Sequence, residues 1–231
     1  MREIVLDTET TGFEPSEGHR IVEIGAVELI NHMPSGRVYH QYINPQRSMP
    51  VEAFNVHGLS EDFLRPHPVF RDVGQAFLDF IGDARLVIHN AAFDLKFLNF
   101  ELGAVGLIQL DWDRVVDTLA LARRKFPGSP ASLDALCRRF GVDNSSREKH
   151  GALLDSEILA EVYLELIGGR QPDLVLAPAN PQKTGPAQTD AEWRPGPRPA
   201  ALPSRLTPAE AQAHAEFVAR MGDTAIWKRF S

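Results

Sequence analysis

Apolar residues along the first 170 positions follow two spacings that alternate. Strand-favouring aliphatic and β-branched residues dominate three early segments, residues 3–6, 20–30 and 37–43. Apolar residues three and four positions apart predict helices over residues 70–81, 91–102, 118–125, 132–140 and 151–167. Short apolar stretches at residues 86–88 and 115–116 predict two further strands.

This order of elements predicts the fold class. Three strands in succession indicate an antiparallel start, and the later strands alternate with helices. Such an order is typical of an α/β domain in which helices flank a mixed β-sheet.

The pattern changes after Gly168 and Gly169, which are expected to end the last helix of the domain. Pro, Ala, Gly and polar residues dominate the next stretch, which predicts a flexible linker. Thr207 and Glu210 then form a capping box at the start of a further helix. We therefore expect a domain over residues 1–169, a linker over 170–204 and a helical tail over 205–231.

Composition narrows the class of protein. The chain has 231 residues, a formal net charge of −7 and a single cysteine, Cys137. One cysteine cannot form an intramolecular disulfide, and we see no leader peptide or membrane-spanning run, so we expect a cytoplasmic protein. A basic face for gripping long nucleic acid is not evident. The protein either binds no nucleic acid, binds a short end with the help of metal, or receives its substrate from a partner.

Two carboxylates stand together at the end of the first predicted strand. Asp7 and Glu9 are two positions apart, so they point to the same side of the strand. Adjacent carboxylates repel each other, and a divalent cation relieves that repulsion. Gly12 follows and would let the backbone turn closely beneath a ligand.

Two later segments carry matching chemistry. Asn90 is a natural N-cap, which places Asp94 in the first turn of a helix beside the end of a strand. His150 lies in a polar loop, and Asp155 lies in the early turns of the following helix. Four carboxylates suit Mg²⁺ or Mn²⁺, and one histidine suits a general base. A structural zinc site would need more Cys or His ligands.

These motifs resemble a known family. Asp7-Thr8-Glu9-Thr10-Thr11-Gly12, Asn90-Ala91-Ala92-Phe93-Asp94 and His150-x4-Asp155 are similar, in order and spacing, to the three motifs of the DEDDh 3′→5′ exonucleases. Within that family the resemblance is strongest to the proofreading (epsilon) subunits of bacterial DNA polymerase III. The segment Val56-His57-Gly58-Leu59 adds to it.

The resemblance implies a ribonuclease H-like fold and phosphodiester hydrolysis assisted by two divalent metal ions, Mg²⁺ or Mn²⁺. The metal ligands would be the four carboxylates Asp7, Glu9, Asp94 and Asp155. His150 would act as general base. Glu52 and His57 would contact the terminal nucleotide, and Asp7, Glu9 and Asp155 would also face the substrate.

The resemblance also implies partners. Residues 171–176, which begin with Gln171 and end with Leu176, resemble a short peptide that binds the bacterial sliding clamp. The tail over residues 205–231 would bind the polymerase (alpha) subunit of DNA polymerase III, and a small accessory subunit could bind the domain. Tethering would then supply the DNA 3′ end at high effective concentration.

Two alternatives stay open at this point. The catalytic motifs do not separate DNA from RNA, so a DEDDh exoribonuclease that trims RNA 3′ ends fits them equally. A mainly structural adaptor between polymerase and clamp is the other alternative, although the full set of carboxylates argues against it.

Overall fold

The structure is a computed structural model that describes residues 1–145, 147, 149–169 and 206–222. The chain divides into two compact units, Met1–Leu176 and Ala177–Ser231. The predicted linker and its clamp-like peptide lie outside the described residues, as does the apolar end of the tail after residue 222.

The first unit is built on a five-stranded mixed sheet with the strand order β3-β2-β1-β4-β5. The strands are β1 (Arg2–Thr10), β2 (Ile21–Ile30), β3 (Met33–Tyr42), β4 (Arg85–Ile88) and β5 (Val115–Asp117). The first three pair antiparallel, whereas β4 runs parallel to β1 and β5 parallel to β4. The predicted mixed sheet with an antiparallel start is confirmed, although β3 begins four residues earlier than expected.

Among the described residues of this unit, seven α-helices accompany the sheet. They are α1 (Val51–His57), α2 (Glu61–Leu64), α3 (Phe70–Ile81), α4 (Ala91–Ala104), α5 (Thr118–Lys125), α6 (Leu133–Phe140) and α7 (Ala152–Leu166). The five longer ones match the predicted helices. The short α1 and α2 were not predicted, because one or two turns do not establish an apolar period.

The sheet separates two apolar layers because its side chains alternate between faces. Ile4 and Leu6 of β1 pack in the same cluster as Phe77 of α3 and Phe97 of α4. Val5 points to the other face and packs with Leu159 and Tyr163 of α7, among others. The face of α7 that is turned away from the sheet contributes to a third cluster with α5 and α6, which includes the buried Cys137.

Helix α7 approaches the sheet very closely at Gly25. A β-carbon on Gly25 would lie 2.2 Å from backbone atoms of Ala152 and Leu153, so only glycine fits here. The hydroxyl of Ser156 donates to the Gly25 carbonyl oxygen at 2.9 Å and holds the first turn of the helix there. Gly25 is the register partner of Asp7, so α7 begins directly beside the first predicted carboxylate.

The described part of the second unit is one helix, α8 (Pro208–Arg220). Thr207 and Glu210 form the capping box that the sequence predicts. Among the described residues, no helix combines the length and apolarity needed to cross a membrane.

Candidate active site

Strand β1 distributes its polar residues to both faces of the sheet. Asp7 and Glu9 share the face of Val5, towards α7, while Thr8 shares the opposite face with Leu6. The strand continues to Thr10, so the two carboxylates lie within it, beyond the predicted apolar segment over residues 3–6. The i, i+2 spacing nevertheless places both on one side.

Asp94 enters the site from the first turn of α4. Its Oδ1 accepts hydrogen bonds from the backbone N of Thr8 at 3.0 Å and from the Thr8 hydroxyl at 2.7 Å. Asn90 occupies the N-cap position, but its side chain makes no capping hydrogen bond and its φ is 65°. The predicted capping role of Asn90 is therefore wrong, because a left-handed residue turns the chain here, which Asn tolerates well.

His150 and Asp155 flank the start of α7. Asp155 is buried in the first turn of the helix, and His150 is exposed on the preceding loop. The backbone N of His150 donates to the Val56 carbonyl oxygen on α1 at 3.2 Å. The structure thus brings the third predicted segment to the other two.

A cavity of about 670 Å³ opens beside these groups. Its wall includes most of the predicted site residues: Asp7, Glu9, Glu52, His57, Asp94 and His150. Asp155 is only 2% exposed and approaches Glu9 and His150, since one ligand atom from each of the three lies within 4.8 Å of the others. Gly12 also lines the cavity, where it gives room to the His19 ring.

Burial and mutual repulsion raise the pKa of three carboxyl groups. Burial is the main cause for Asp7, and the charges of Asp94, Glu9 and Asp155 add to it. The pKa of Glu9 is raised to about 8, by burial and then by the charge of Asp155. That of Asp94 is raised to about 7 by burial, although the hydrogen bonds from Thr8 oppose the shift. The site therefore holds negative charge poorly unless a cation is bound.

The donor set fits a divalent cation. Oxygen ligands dominate, the carboxylates repel one another, and the atoms of Glu9, His150 and Asp155 converge. Such a set suits Mg²⁺ or Mn²⁺. Asp7, Glu9, Asp94 and Asp155 could hold the metal, and the imidazole of His150 could serve as a base beside it.

His57, the last residue of α1, is buried against the cavity wall. Its Nδ1 accepts from the backbone N of Leu59 at 3.0 Å, which places the ring proton on Nε2. Nε2 is buried next to the Thr10 backbone without a hydrogen bond of regular geometry in the described part of the chain. Burial lowers the pKa of His57 to about 4, so the ring stays neutral.

Glu52 and Phe93 complete the cavity on either side. Glu52 is exposed in the first turn of α1, and Phe93 lies in the first turn of α4. The Phe93 ring packs on the core and meets the exposed ring of Phe13 edge to face, with centroids 6.4 Å apart. Phe93 is thus both a packing residue and a cavity residue.

Sequence reasoning missed two residues that shape the site. Glu23, buried on β2, accepts from the backbone N of Ala152 through Oε2 and pairs with His40 through Oε1. Glu23 thereby holds the first residue of α7 against β2. Arg147 pairs with Asp155 and was passed over as part of a polar loop. In the sequence, Glu23 stands out only as a charged residue within an apolar strand. Arg147 stands out only as a basic residue three positions before His150.

Comparisons with known proteins agree with this geometry. Residues 4–163 match the Exonuclease (RNase_T) family. DNA polymerase III subunit epsilon of Rickettsia felis is 46% identical over 228 residues, covering 97% of this chain and 99% of the relative. The protein of the same name from Escherichia coli K12 is 50% identical over 179 residues, 73% of this chain and 72% of the relative.

Solved structures show the same fold. Exonuclease X in complex with 5′-overhanging duplex DNA superimposes with a TM-score of 0.57 at 25% identity, covering 71% of this chain and 90% of that one. The nuclease domain of 3′hExo, a DEDDh family member, gives a TM-score of 0.63 at 20% identity and covers 72% of this chain and 91% of that one. The chain therefore belongs to the RNase_T exonuclease family and, within it, to the epsilon subunits of DNA polymerase III.

Proposed function

We propose that this chain is a 3′→5′ exonuclease that proofreads for a bacterial replicative DNA polymerase. It removes mispaired 3′-terminal nucleotides as deoxynucleoside 5′-monophosphates. The observation that carries the proposal is the meeting of four carboxylates and one imidazole beside a single cavity, delivered by β1, α4, α7 and the loop before α7. Relatives that match the whole chain carry the name of a polymerase subunit, which supports DNA as the substrate.

The cavity suits one unpaired nucleotide. Its volume of about 670 Å³ lies within the range of small-ligand pockets, roughly 300–1,000 Å³. A base-paired end would not enter such a space, so a mispaired and frayed end is the preferred substrate. His57 and Glu52 would contact the terminal nucleotide, and Phe93 would lie against its base or sugar.

Asp7, Glu9, Asp94 and Asp155 would hold two divalent ions, Mg²⁺ or Mn²⁺. When bound, these ions polarise the scissile phosphate and favour ionisation of water. His150, exposed on its loop at the mouth of the cavity, accepts the proton of the attacking water. The neighbouring backbone contact with Val56 fixes the loop against the nucleotide pocket.

The tail would bind the polymerase subunit. Helix α8 contains both apolar and charged residues, and the side chain of Phe217 on it is 55% exposed. We propose that residues 205–231 bind the alpha subunit. Residues 170–204 would form a flexible linker, and the peptide Gln171–Leu176 within that linker would contact the sliding clamp. A small accessory subunit on the exonuclease domain is a further proposed partner. Assembly of this kind would place the chain in the bacterial cytoplasm with the replication machinery.

Digestion of a 3′-mispaired DNA primer and a single-stranded RNA of matched sequence, with and without Mg²⁺, tests the proposal. Metal-dependent release of deoxynucleoside monophosphates from DNA, with RNA much slower, is the expected result. The Asp7→Ala variant serves as the control for a contaminating nuclease. A preference for RNA would favour an RNA-trimming enzyme, and no cleavage of either substrate would favour an adaptor.

A further inference from the structure

The guanidinium group of Arg147 lies between Asp155 and His150. Its Nε and Nη2 donate to the two carboxylate oxygens of Asp155 at 2.5 and 2.7 Å. Nη2 also contacts Nδ1 of His150 at 2.7 Å, and Nη1 donates to Asp134 on α6 at 2.7 Å. The side chain of Arg147 is only 9% exposed, so these contacts replace water around a permanent charge.

The contact with His150 fixes the state of its ring. A guanidinium has five N–H donors and no acceptor, so Nδ1 of His150 must accept from Arg147. The proton of the neutral ring is then on Nε2. Nδ1 also lies 3.3 Å from Oδ2 of Asp155, but it cannot donate to that oxygen while it accepts from Arg147. In this arrangement neither ring nitrogen has a free lone pair, and His150 cannot accept a proton from water.

The contact with Asp155 restrains a metal ligand in the same way. A two-pronged arginine–carboxylate pair engages both oxygens and is among the stronger hydrogen-bonded pairs in proteins. The Asp155 side chain is only 3% exposed, so Arg147 provides much of the charge neutralisation that water would otherwise give. The positive charge of Arg147 against this carboxylate opposes the binding of a divalent cation there.

Asp134 is a second carboxylate that can hold the guanidinium of Arg147. Its side chain is 46% exposed, against 3% for Asp155, and it already accepts one hydrogen bond from Nη1. The guanidinium can therefore leave Asp155 and His150 without losing every anionic partner. The backbone bond from His150 to Val56 does not involve Arg147, so only a side chain has to move.

We propose that Arg147 is a latch, a positioning residue that competes with the catalytic cation for Asp155 and blocks the basic nitrogen of His150 until that cation binds. Release of the latch frees both groups in one step, since one guanidinium holds them both. Hydrolysis of the phosphodiester is thereby coupled to binding of the metal ion. This inference rests on the proposed metal-dependent exonuclease function.

Calorimetric titration of the full chain with Mn²⁺ tests the latch. Arg147→Gln is expected to bind Mn²⁺ on the order of tenfold more tightly than the unaltered chain, because the competing pair is gone. Arg147→Lys keeps the charge but lacks the two-pronged contact, so it should also bind more tightly. Arg65→Gln is the matched control, because Arg65 is a surface arginine paired with Glu61 and Asp62. Its Mn²⁺ affinity should not change.

Several results would overturn the latch. Unchanged or weaker Mn²⁺ binding in both Arg147 variants would do so, and so would a tighter Arg147→Gln beside an unaltered Arg147→Lys, which indicates charge repulsion alone. If neither the unaltered chain nor any variant bound Mn²⁺, the proposed function itself would fail. Mn²⁺ binding that is unaffected by substitution of Arg147 would contradict only the latch and not the proposed function.

A second measurement needs no variant. The imidazole ¹⁵N shifts of His150 in the unaltered chain should show a protonated Nε2 and a hydrogen-bonded, unprotonated Nδ1 when divalent cations are chelated. Added Mg²⁺ should change the Nδ1 signal as Arg147 leaves. A proton on Nδ1 before Mg²⁺ is added would exclude the proposed contact, whatever the stability of the variants.

Discussion

Thr8 donates two hydrogen bonds to the same oxygen of Asp94, one from its backbone at 3.0 Å and one from its hydroxyl at 2.7 Å. These bonds join β1 to the first turn of α4. They tie the third carboxylate to the strand that carries the first two. Thr8, which lies between two proposed metal ligands in sequence, thus positions a third proposed ligand in space.

Removal of the Thr8 hydroxyl should weaken metal binding. Thr8→Val keeps the shape of the side chain but leaves one fewer hydrogen bond to Asp94, and loss of such a supporting contact typically costs about 10–100-fold in metal affinity or activity. Mn²⁺ titration and the exonuclease rate at saturating DNA measure the effect. Thr8→Ser, which retains the hydroxyl, should stay near the unaltered values. Equal behaviour of the two variants would remove Thr8 from this role.

Asp7→Ala is expected to abolish cleavage and leave the fold intact. The charges of Asp94, Glu9 and Asp155 all raise the pKa of Asp7, so its loss relieves repulsion in the absence of metal. We expect activity below about a hundredth of normal, with a melting temperature in EDTA that is equal or higher. Thermal unfolding and a primer-digestion assay measure the two properties. Substantial Mg²⁺-dependent cleavage by this variant would contradict the assignment of Asp7.

His150→Ala should slow the chemical step by roughly 10²–10⁴-fold, the usual loss when a general base is removed. His150 is exposed on a loop, so the free energy of unfolding should change little. Single-turnover digestion at saturating enzyme isolates the chemical step from binding. An unchanged single-turnover rate would show that another group accepts the proton.

Stability without metal should fall as the pH rises. The folded-state pKa values of about 7 for Asp94 and about 8 for Glu9 lie above the values of about 3.9 and 4.3 expected in the unfolded chain. Their contribution is complete below about pH 4 and is lost as the pH rises through about 7 and 8, because folding then confines buried like charges. Urea unfolding in EDTA between about pH 4.5 and 9 measures the slope, which should level off above about pH 8.

Saturating Mg²⁺ should flatten this slope, since the cation neutralises the same carboxylates. Asp94→Asn should also reduce it, because one of the two groups no longer titrates. A free energy of unfolding that stays level over this pH range in EDTA would mean that the carboxylates are already relieved by other contacts.

Deletion of residues 205–231 should separate the two proposed activities of the chain. The first unit contains every described site residue, so digestion of a single-stranded primer should be unaffected. Binding to the polymerase alpha subunit should fall below detection in a pull-down or by calorimetry. A truncated chain that still co-purified with the alpha subunit would place the contact on the exonuclease domain.

Strand and helix periodicity predicted the parts of the site that depend on local geometry. The i, i+2 spacing of Asp7 and Glu9 placed both on one face, and the strand-to-helix transition placed Asp94 in a first turn. The sheet and the five long helices followed from the same periods. Local rules suffice here because each of these segments buries a regular apolar face.

Contacts between distant segments were not accessible in this way. The bond from Ala152 to Glu23 joins residues 129 positions apart, and the partner of Arg147 depends on how a loop folds over α7. Asn90 shows a different limit, because the residue type suits both a cap and a left-handed turn and sequence alone does not choose. Only the packed chain decides such cases.

The pairing of Asp7 with Gly25, and of Glu9 with Glu23, restricts how this enzyme can change during evolution. Inserting or deleting one residue in β2 beyond Gly25 would turn the following side chains to the opposite face. Such a change within Glu23–Gly25 would put a side chain where α7 needs none and withdraw the carboxylate that holds Ala152. Insertions and deletions are therefore expected in the loops, because the strand register from Glu23 to Gly25 has to be kept.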